Sequence, residues 1–322
     1  MSAKEPSHSY TIPTDWRGRR LDKALAELDP ESSRSRLSAL IKAGEVSVDG
    51  QAITRPGTPL EGGEQVTWTV PEVPPSQDSG GAIIKDIPIL YEDEWICIVN
   101  KPAGLLSHRN HAAQALAVPE WVEAKLGPLP VADQPLRPGV VHRLDRGTSG
   151  IMVLARTLEA MQGLIEAFAA RQVEKRYVAI CHGSPRFDSE WVEDPIERDP
   201  RHPERRRIAA PGEGKPAETL FEVVKRFGTA AALCHARPKT GRTHQLRVHL
   251  SSRGLPLVGD KVYRHRGALP EPLPEGTRIP LRPALHAAEL SFTHPGTGEK
   301  VSFEAPLPPE LQNLLDDLER LI

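Results

Sequence analysis

Residues 142–150 read HRLDRGTSG, which sets Asp145 between Arg143 and Arg146 and ahead of Thr148 and Ser149, with Gly147 and Gly150 bracketing the hydroxyls. Positive charge beside a carboxylate favours its ionised form, the form usable as nucleophile, base or electrostatic stabiliser. The glycines permit tight turning, and the hydroxyls can tie a loop down. IMVLA, starting at Ile151, has the pattern of a buried strand, so the loop is expected on a rigid edge, where catalytic groups are commonly held. An arginine-flanked carboxylate that merely caps a strand has the same local sequence.

A second cluster, RPKTGRTHQLRVHL at 237–250, places Arg237, Lys239, Arg242, His244, Arg247 and His249 outside any helical amphipathic scheme. Residues 240–243 read as a turn that aims side chains and backbone N–H groups at an anion. Arg247, followed by Val248 and Leu250, is expected to be partly buried and so to need an acidic partner, for which Asp145 is the candidate. A basic hairpin edge guarded against aggregation is the plainer alternative. Lys101 lies where the strand-like DEWICIVN runs into a Lys-Pro-x-Gly turn. Tyr177, in EKRYVAI, suits either the core or stacking on a base. Arg205, Arg206 and Arg207 suit an RNA backbone or solvent, and His286 reads as a satisfied structural histidine.

Several other chemistries fail on spacing. HRLD lacks the downstream Asn of a kinase catalytic loop, and GTSG is not a GxSxG elbow. His244 and His249 form no HExxH helix, and no glycine-rich phosphate loop occurs, so neither a metal nor a nucleotide cofactor is expected. Cys97, Cys181 and Cys234 lie far apart without a CxxC pair, against a zinc site or a disulfide framework. No apolar signal core or membrane-length run is present, which suggests a cytoplasmic protein with no membrane partner. The formal net charge is −2, yet residues 171–253 hold 17 Lys/Arg against 11 Asp/Glu. A basic stretch inside a near-neutral chain is the footprint of a localised polyanion site.

The elements that must position these groups follow from periodicity. A chain of 322 residues, 39% hydrophobic and 26% charged, is long enough for two globular domains. Within residues 1–70, RLDKALAEL has helical spacing, and a second helix is expected from Arg34 to Ala43, capped by Ser32 or Ser33 and ended by Gly44. EVSVDGQAIT signals a hairpin turning at Asp49-Gly50. The Pro/Ser/Gly-rich 71–85 reads as a linker, and 86–322 as the catalytic domain. There, strand-like runs at 95–100, 150–156, 176–181, 219–227 and 231–237 mix with helices at 158–170 and 308–322. The expectation is α+β, a largely antiparallel mixed sheet with flanking helices.

Two resemblances follow from these residues. RLDKAL, SRSRLSALIKAGEVSVDG and GGEQV resemble the small αL-type RNA-binding domain also found in a small-subunit ribosomal protein. NKPAGLLSH, HRLDRGTSGIMVLART, EKRY, GKPAET, RPKTGRTHQLRVHL, LVGDKVY and ALHAAEL, in that order, resemble the RluA family of pseudouridine synthases, and with the αL domain in front, its large-subunit rRNA branch. His142 stands where the related RsuA branch usually has Gly, and Arg264 where Gly is common. The resemblance implies isomerisation of uridine to pseudouridine in structured RNA, most readily 23S rRNA or an assembling large subunit, without cofactor or metal and by a monomer. It leaves tRNA as an alternative substrate, and a non-catalytic ribosome-assembly factor as an alternative role. It also implies Asp145 as the essential carboxylate and Arg143 as the group that extrudes the base and fills the gap. Tyr177 then packs on the uracil and Arg247 pairs with Asp145, while His142, Thr148, Arg242 and Lys101 complete the substrate-binding set.

Overall fold

A computed structural model describes residues 8–29, 34–68, 86–109, 116–131, 137–264 and 271–321. The expected cap at Ser32 or Ser33 and the 71–85 linker lie outside the described residues. No helix among the described residues is long and apolar enough to cross a membrane. The chain divides into two compact units, one built mainly from residues 1–83 and one mainly from 84–322.

In the first unit, β1 (His8–Thr11), α1 (Leu21–Leu28), α2 (Arg34–Ala43), β2 (Val46–Val48), β3 (Gln51–Ala52) and β4 (Gln65–Trp68) form two helices over an antiparallel sheet ordered β1-β4-β2-β3. The apolar spacing read in α1 buries Leu21, Ala24 and Leu25 against Leu37 and Ile41 of α2 and Trp68 of β4. Asp49 and Gly50 take φ of 47° and 78°, the doubly positive pair a two-residue hairpin turn demands. Arg17 pairs with Glu61, Arg19 with Glu27 and Arg20 with Asp22.

The second unit is built on one twisted sheet. Its strands are β5 (Ile89–Glu92), β6 (Ile96–Lys101), β7 (Ser149–Ala155), β8 (Glu174–His182), β9 (Ser189–Val192), β12 (Thr219–Phe227), β13 (Ala231–Pro238), β14 (Leu285–Thr293) and β15 (Lys300–Glu304). They run in the order β5-β6-β7-β14-β8-β13-β12-β9, with β15 on β14. Strands β10 (Ile196–Arg198) and β11 (Arg206–Ile208) form a separate antiparallel hairpin. Every pairing in the main sheet is antiparallel except β7 with β14, where Ser149 lies opposite His286 and Gly150 opposite Ala287. The expected α+β class with a mixed, largely antiparallel sheet is therefore what the chain adopts.

The helices are α3 (Val118–Leu126), α4 (Leu158–Ala169), α5 (Gln245–Ser252) and α6 (Pro309–Leu321). Helix α4 starts where Thr157 Oγ1 accepts the Ala160 N–H at 3.1 Å, and it buries Met161 and Leu164 over Val153 and Phe292. Helix α6 lays Leu311, Leu314 and Leu318 on Ile180 and Ala284.

Helix α5 corrects the sequence reading of 237–250. Gln245 through Leu250 are all buried, so the helix has no polar stripe and its sequence carries no amphipathic period. It is entered through His244 in the left-handed region at φ 59°, and the six basic residues of 237–250 divide between strand, connecting segment and helix.

Candidate active site

Asp145 sits on the loop feeding β7 and opens into a cleft of about 390 Å³. Its lining draws on the 141–148 loop, on Phe168 of α4, on Lys175 and Tyr177 of β8, and on residues 238–247 leading into α5. Lys175 and Tyr177 are two apart on β8, so strand geometry sends both to one face.

Both flanks of Asp145 are held by its neighbours. Upstream, the Ser107 hydroxyl donates to the Leu144 carbonyl at 2.7 Å and accepts the Leu144 N–H at 2.9 Å. Downstream, the Arg146 carbonyl accepts the Gly104 N–H at 2.7 Å, and the Arg146 Nε–H donates to the Gly104 carbonyl at 2.8 Å. The Thr148 N–H donates back to the Asp145 carbonyl at 3.0 Å. Beyond the turn, Ser149 Oγ meets His286 Nδ1 at 2.9 Å and accepts from Arg282 at 3.0 Å. Arg282 also donates to the carbonyls of Gly147 and Leu285 and pairs with Glu310 of α6 at 2.7 Å. The loop is thus fixed at four points before any ligand arrives.

The cation facing Asp145 is Arg247, with Nη1 to Oδ2 at 3.8 Å and side-chain exposures of 8% and 17%. Neither Arg143 nor Arg146 forms an ion pair with Asp145 among the described residues. The Arg146 side chain is instead drawn to the Gly104 carbonyl, and Arg143 is exposed at the cleft. Arg247 is itself held elsewhere. Its Nε and Nη2 donate to the two oxygens of Asp260, at 2.7 and 2.9 Å, while the Asp260 carboxylate also accepts the N–H groups of Val262 and Tyr263. Burial works against the Arg247 charge and the Asp260 carboxylate outweighs it, raising the guanidinium pKa. The acidic partner expected to be Asp145 is therefore first Asp260, fully buried in its side chain, with Asp145 at the longer distance.

The Tyr263 ring lies 4.8 Å from the Arg247 guanidinium carbon. Its hydroxyl accepts the Arg206 N–H at 2.7 Å and lies within hydrogen-bond distance of His244 Nδ1, at 2.8 Å. Burial lowers the His244 pKa against the pull of Asp145, and the ring lines the cleft.

The remaining expected residues separate by place. Tyr177 lines the cleft, and burial followed by the Asp145 charge pushes its phenol up. Arg143 lines the cleft, exposed. Arg242 lines it with Nε–H donated to the Pro216 carbonyl at 3.0 Å. Thr148 is buried at its inner wall. His142 stacks on Phe168, with ring centres 4.7 Å apart, and its Nε2 accepts the Val153 N–H at 3.0 Å. Burial, then Lys175, lowers the His142 pKa to about 3, so the ring is a neutral pin between loop and strand. Lys101 does not line the cleft. It is fully buried, donating to the carbonyls of Pro102 and Leu105 at 3.0 Å each and of Arg146 at 3.5 Å.

Comparison with known proteins agrees with this geometry. The RNA pseudouridylate synthase family model matches residues 96–252, and the S4 domain model matches 19–66. The chain is 39% identical to the ribosomal large subunit pseudouridine synthase D of Nitrosomonas europaea, covering 98% of this chain and 89% of that one. It is 40% identical to the protein of the same name from Xanthomonas campestris pv. campestris, covering 95% and 91%. The chain belongs to the RNA pseudouridylate synthase family. Among solved structures, human RNA pseudouridylate synthase domain containing 4 superposes with a TM-score of 0.56 at 28% identity, over 72% of this chain and 92% of that one.

In this pseudouridine synthase, sequence patterns assign no role to Ser107, Asp260, Tyr263 or Arg282, which fix the loop and Arg247. A buried-partner argument reaches Asp260. Arg247 is placed among apolar residues, and the Asp of LVGDKVY follows Gly259, whose φ of 77° and close approach to the Arg282 carbonyl mark a tight turn. Ser107 and Arg282 bond backbone atoms distant in sequence, and no local pattern announces that.

Proposed function

We propose that this pseudouridine synthase isomerises defined uridines of large-subunit rRNA, acting in the cytoplasm as a monomer on 23S rRNA or on an assembling subunit. The observation that carries the reading is Asp145, held at four points at the foot of a cleft with Arg247 at 3.8 Å and Tyr177 on the facing strand. A target uridine cannot reach such a carboxylate while stacked, so it leaves the helix. Arg143, exposed at the cleft and without an ion pair among the described residues, takes the vacated place in the stack with its planar guanidinium. Tyr177 packs on the extruded uracil, and Asp145 acts at the glycosidic bond while the base detaches through N1, turns and rejoins through C5. Arg247 holds Asp145 oriented, and Arg242 and His244 face the substrate from the opposite wall. Lys101, His142 and Thr148 position the loop. Residues 1–70 supply a separate RNA-binding domain joined through 71–85 to the catalytic domain of 86–322.

The test is a transcriptome-wide pseudouridine map of cells lacking the gene, complemented with wild type or Asp145→Asn. The expected outcome is loss of marks at defined large-subunit rRNA positions, restored by wild type alone, while purified Asp145→Asn keeps its fold and its RNA binding. Marks lost in tRNA instead transfer the reading to that substrate. An unchanged map removes the catalytic reading in favour of an RNA-binding assembly factor.

A further inference from the structure

A second concavity, a groove of about 890 Å³, lies between the β10–β11 hairpin and the 261–264 loop. It is lined by Val248, Ser251 and Ser252 of α5, the helix that also presents Arg247 to the reaction cleft. Its walls carry Arg205, Arg206 and Arg207 on one side and Lys261 and Arg264 on the other. Arg207 is spent on Glu197 and Arg205 on Glu204. Arg206, Lys261 and Arg264 have no carboxylate partner among the described residues, and Lys261 and Arg264 are exposed. The Arg206 guanidinium donates to the carbonyls of Pro203 and Arg205, which stiffens it without neutralising it. One carboxylate, Asp199, also lines the groove; it accepts the backbone N–H groups of Arg201 and His202 and keeps its charge, so these lining groups carry a surplus of positive charge and not three free cations alone.

Three cations against one carboxylate around a concavity leave a positive surplus, which an anion lying between them offsets. The groove is large and rimmed by cations on both walls, which suits a chain of phosphates better than a single small anion. We propose that it is a second RNA subsite, which grips the sugar–phosphate backbone of the substrate away from the target uridine. The inference rests on the reading that the protein acts on RNA. The groove is also tied to the chemistry. Tyr263 lines it, and the Tyr263 hydroxyl bridges the Arg206 N–H of the hairpin to His244 of the cleft. A backbone seated against the hairpin therefore fixes the strand that presents Arg206, and through Tyr263 steadies His244 and Arg247 before the base is extruded.

The experiment compares wild type with Lys261→Gln/Arg264→Gln, using in vitro-transcribed 23S rRNA as probe. Dissociation constants are measured across a potassium chloride series, and pseudouridine formation at increasing rRNA concentration. Removing one cation that neutralises a phosphate should flatten the logarithmic salt slope by about 1, so the double variant should be shallower by about 2. KM should rise several-fold with kcat retained. Lys225→Gln, which removes an exposed lysine paired with Glu319 on another part of the surface, should leave the slope unchanged. Thermal unfolding confirms that all three proteins are equally folded. The inference is overturned if the double variant keeps the wild-type slope and KM, or if Lys225→Gln flattens the slope equally. Failure of the wild type to form pseudouridine in any RNA strikes the proposed function instead, and the two failures are distinguishable.

Discussion

A lysine with no exposed surface works against its own charge, and Lys101 shows what the fold does with that. Burial, then Arg282, lowers its pKa from 10.5 to about 7, with Asp145 pulling the other way. Three carbonyls hold the ammonium, one of them from Arg146 in the Asp145 loop, so the residue staples that loop whichever way it titrates. The unfolded chain keeps the Lys101 proton up to about pH 10.5 and the folded one releases it near 7, so stability attributable to this group rises with pH across that window. Below about pH 7 the group contributes no pH dependence, because both states are protonated. Urea unfolding of wild type and Lys101→Met should therefore diverge as pH is raised, the wild type gaining up to about 1.4 kcal/mol per pH unit on the variant. Parallel curves would show that Lys101 titrates as a free lysine. The family resemblance places Lys101 in the substrate-binding set, while its own stretch reads only as a strand and its turn. The groups that bury it include Arg146, 45 residues away. Arg247 shows the same limit: its need for a carboxylate is legible, but which carboxylate is settled by the 259–264 turn.

At the scale of elements, the one parallel pairing in the main sheet places the site. β7 leaves the Asp145 loop alongside β14, and at their junction Gly150 has φ 118°. A Cβ there would stand 2.1 Å from the Ala287 carbonyl oxygen and 2.6 Å from the Ala287 nitrogen, backbone atoms that cannot step aside. Gly150→Ala should cost at least about 3 kcal/mol, through both the left-handed backbone and the clash. It should also cut activity in whatever protein still folds, since the strand edge carrying Asp145 shifts. Thermal unfolding and a pseudouridine assay on the same preparation measure both. Wild-type stability in this variant would mean that the β7–β14 junction yields. Strands with a clear apolar run, such as β7, β12 and β13, are readable in the sequence, as are α1, α4 and α6 with their single buried faces. α5 is not, because it is buried all round, and β9, β10 and β11 are three or four residues each, too short to show a period.

At the scale of the whole molecule, charge is arranged rather than abundant. The surplus read in 171–253 is partly consumed internally, since Arg176, Arg207, Arg226, Arg237 and Arg253 each hold a carboxylate. What remains for RNA is a smaller set of unpaired cations, and sequence counting cannot separate the two groups. The same sorting applies to the first unit, where Arg17, Arg19 and Arg20 are paired, while Lys23 of α1 and Lys42 of α2 are exposed without an ion pair among the described residues. The cleft around Asp145 is lined wholly by residues of the second unit. Neutralising the two lysines should therefore weaken capture of RNA without touching the isomerisation step. For Lys23→Gln/Lys42→Gln, KM for 23S rRNA should rise by roughly threefold to tenfold at moderate ionic strength, with a shallower salt slope and an unchanged kcat. Initial rates of pseudouridine formation over a range of rRNA and salt concentrations separate the two constants. A fall in kcat at constant KM would place these lysines in the service of the chemical step and not of RNA capture.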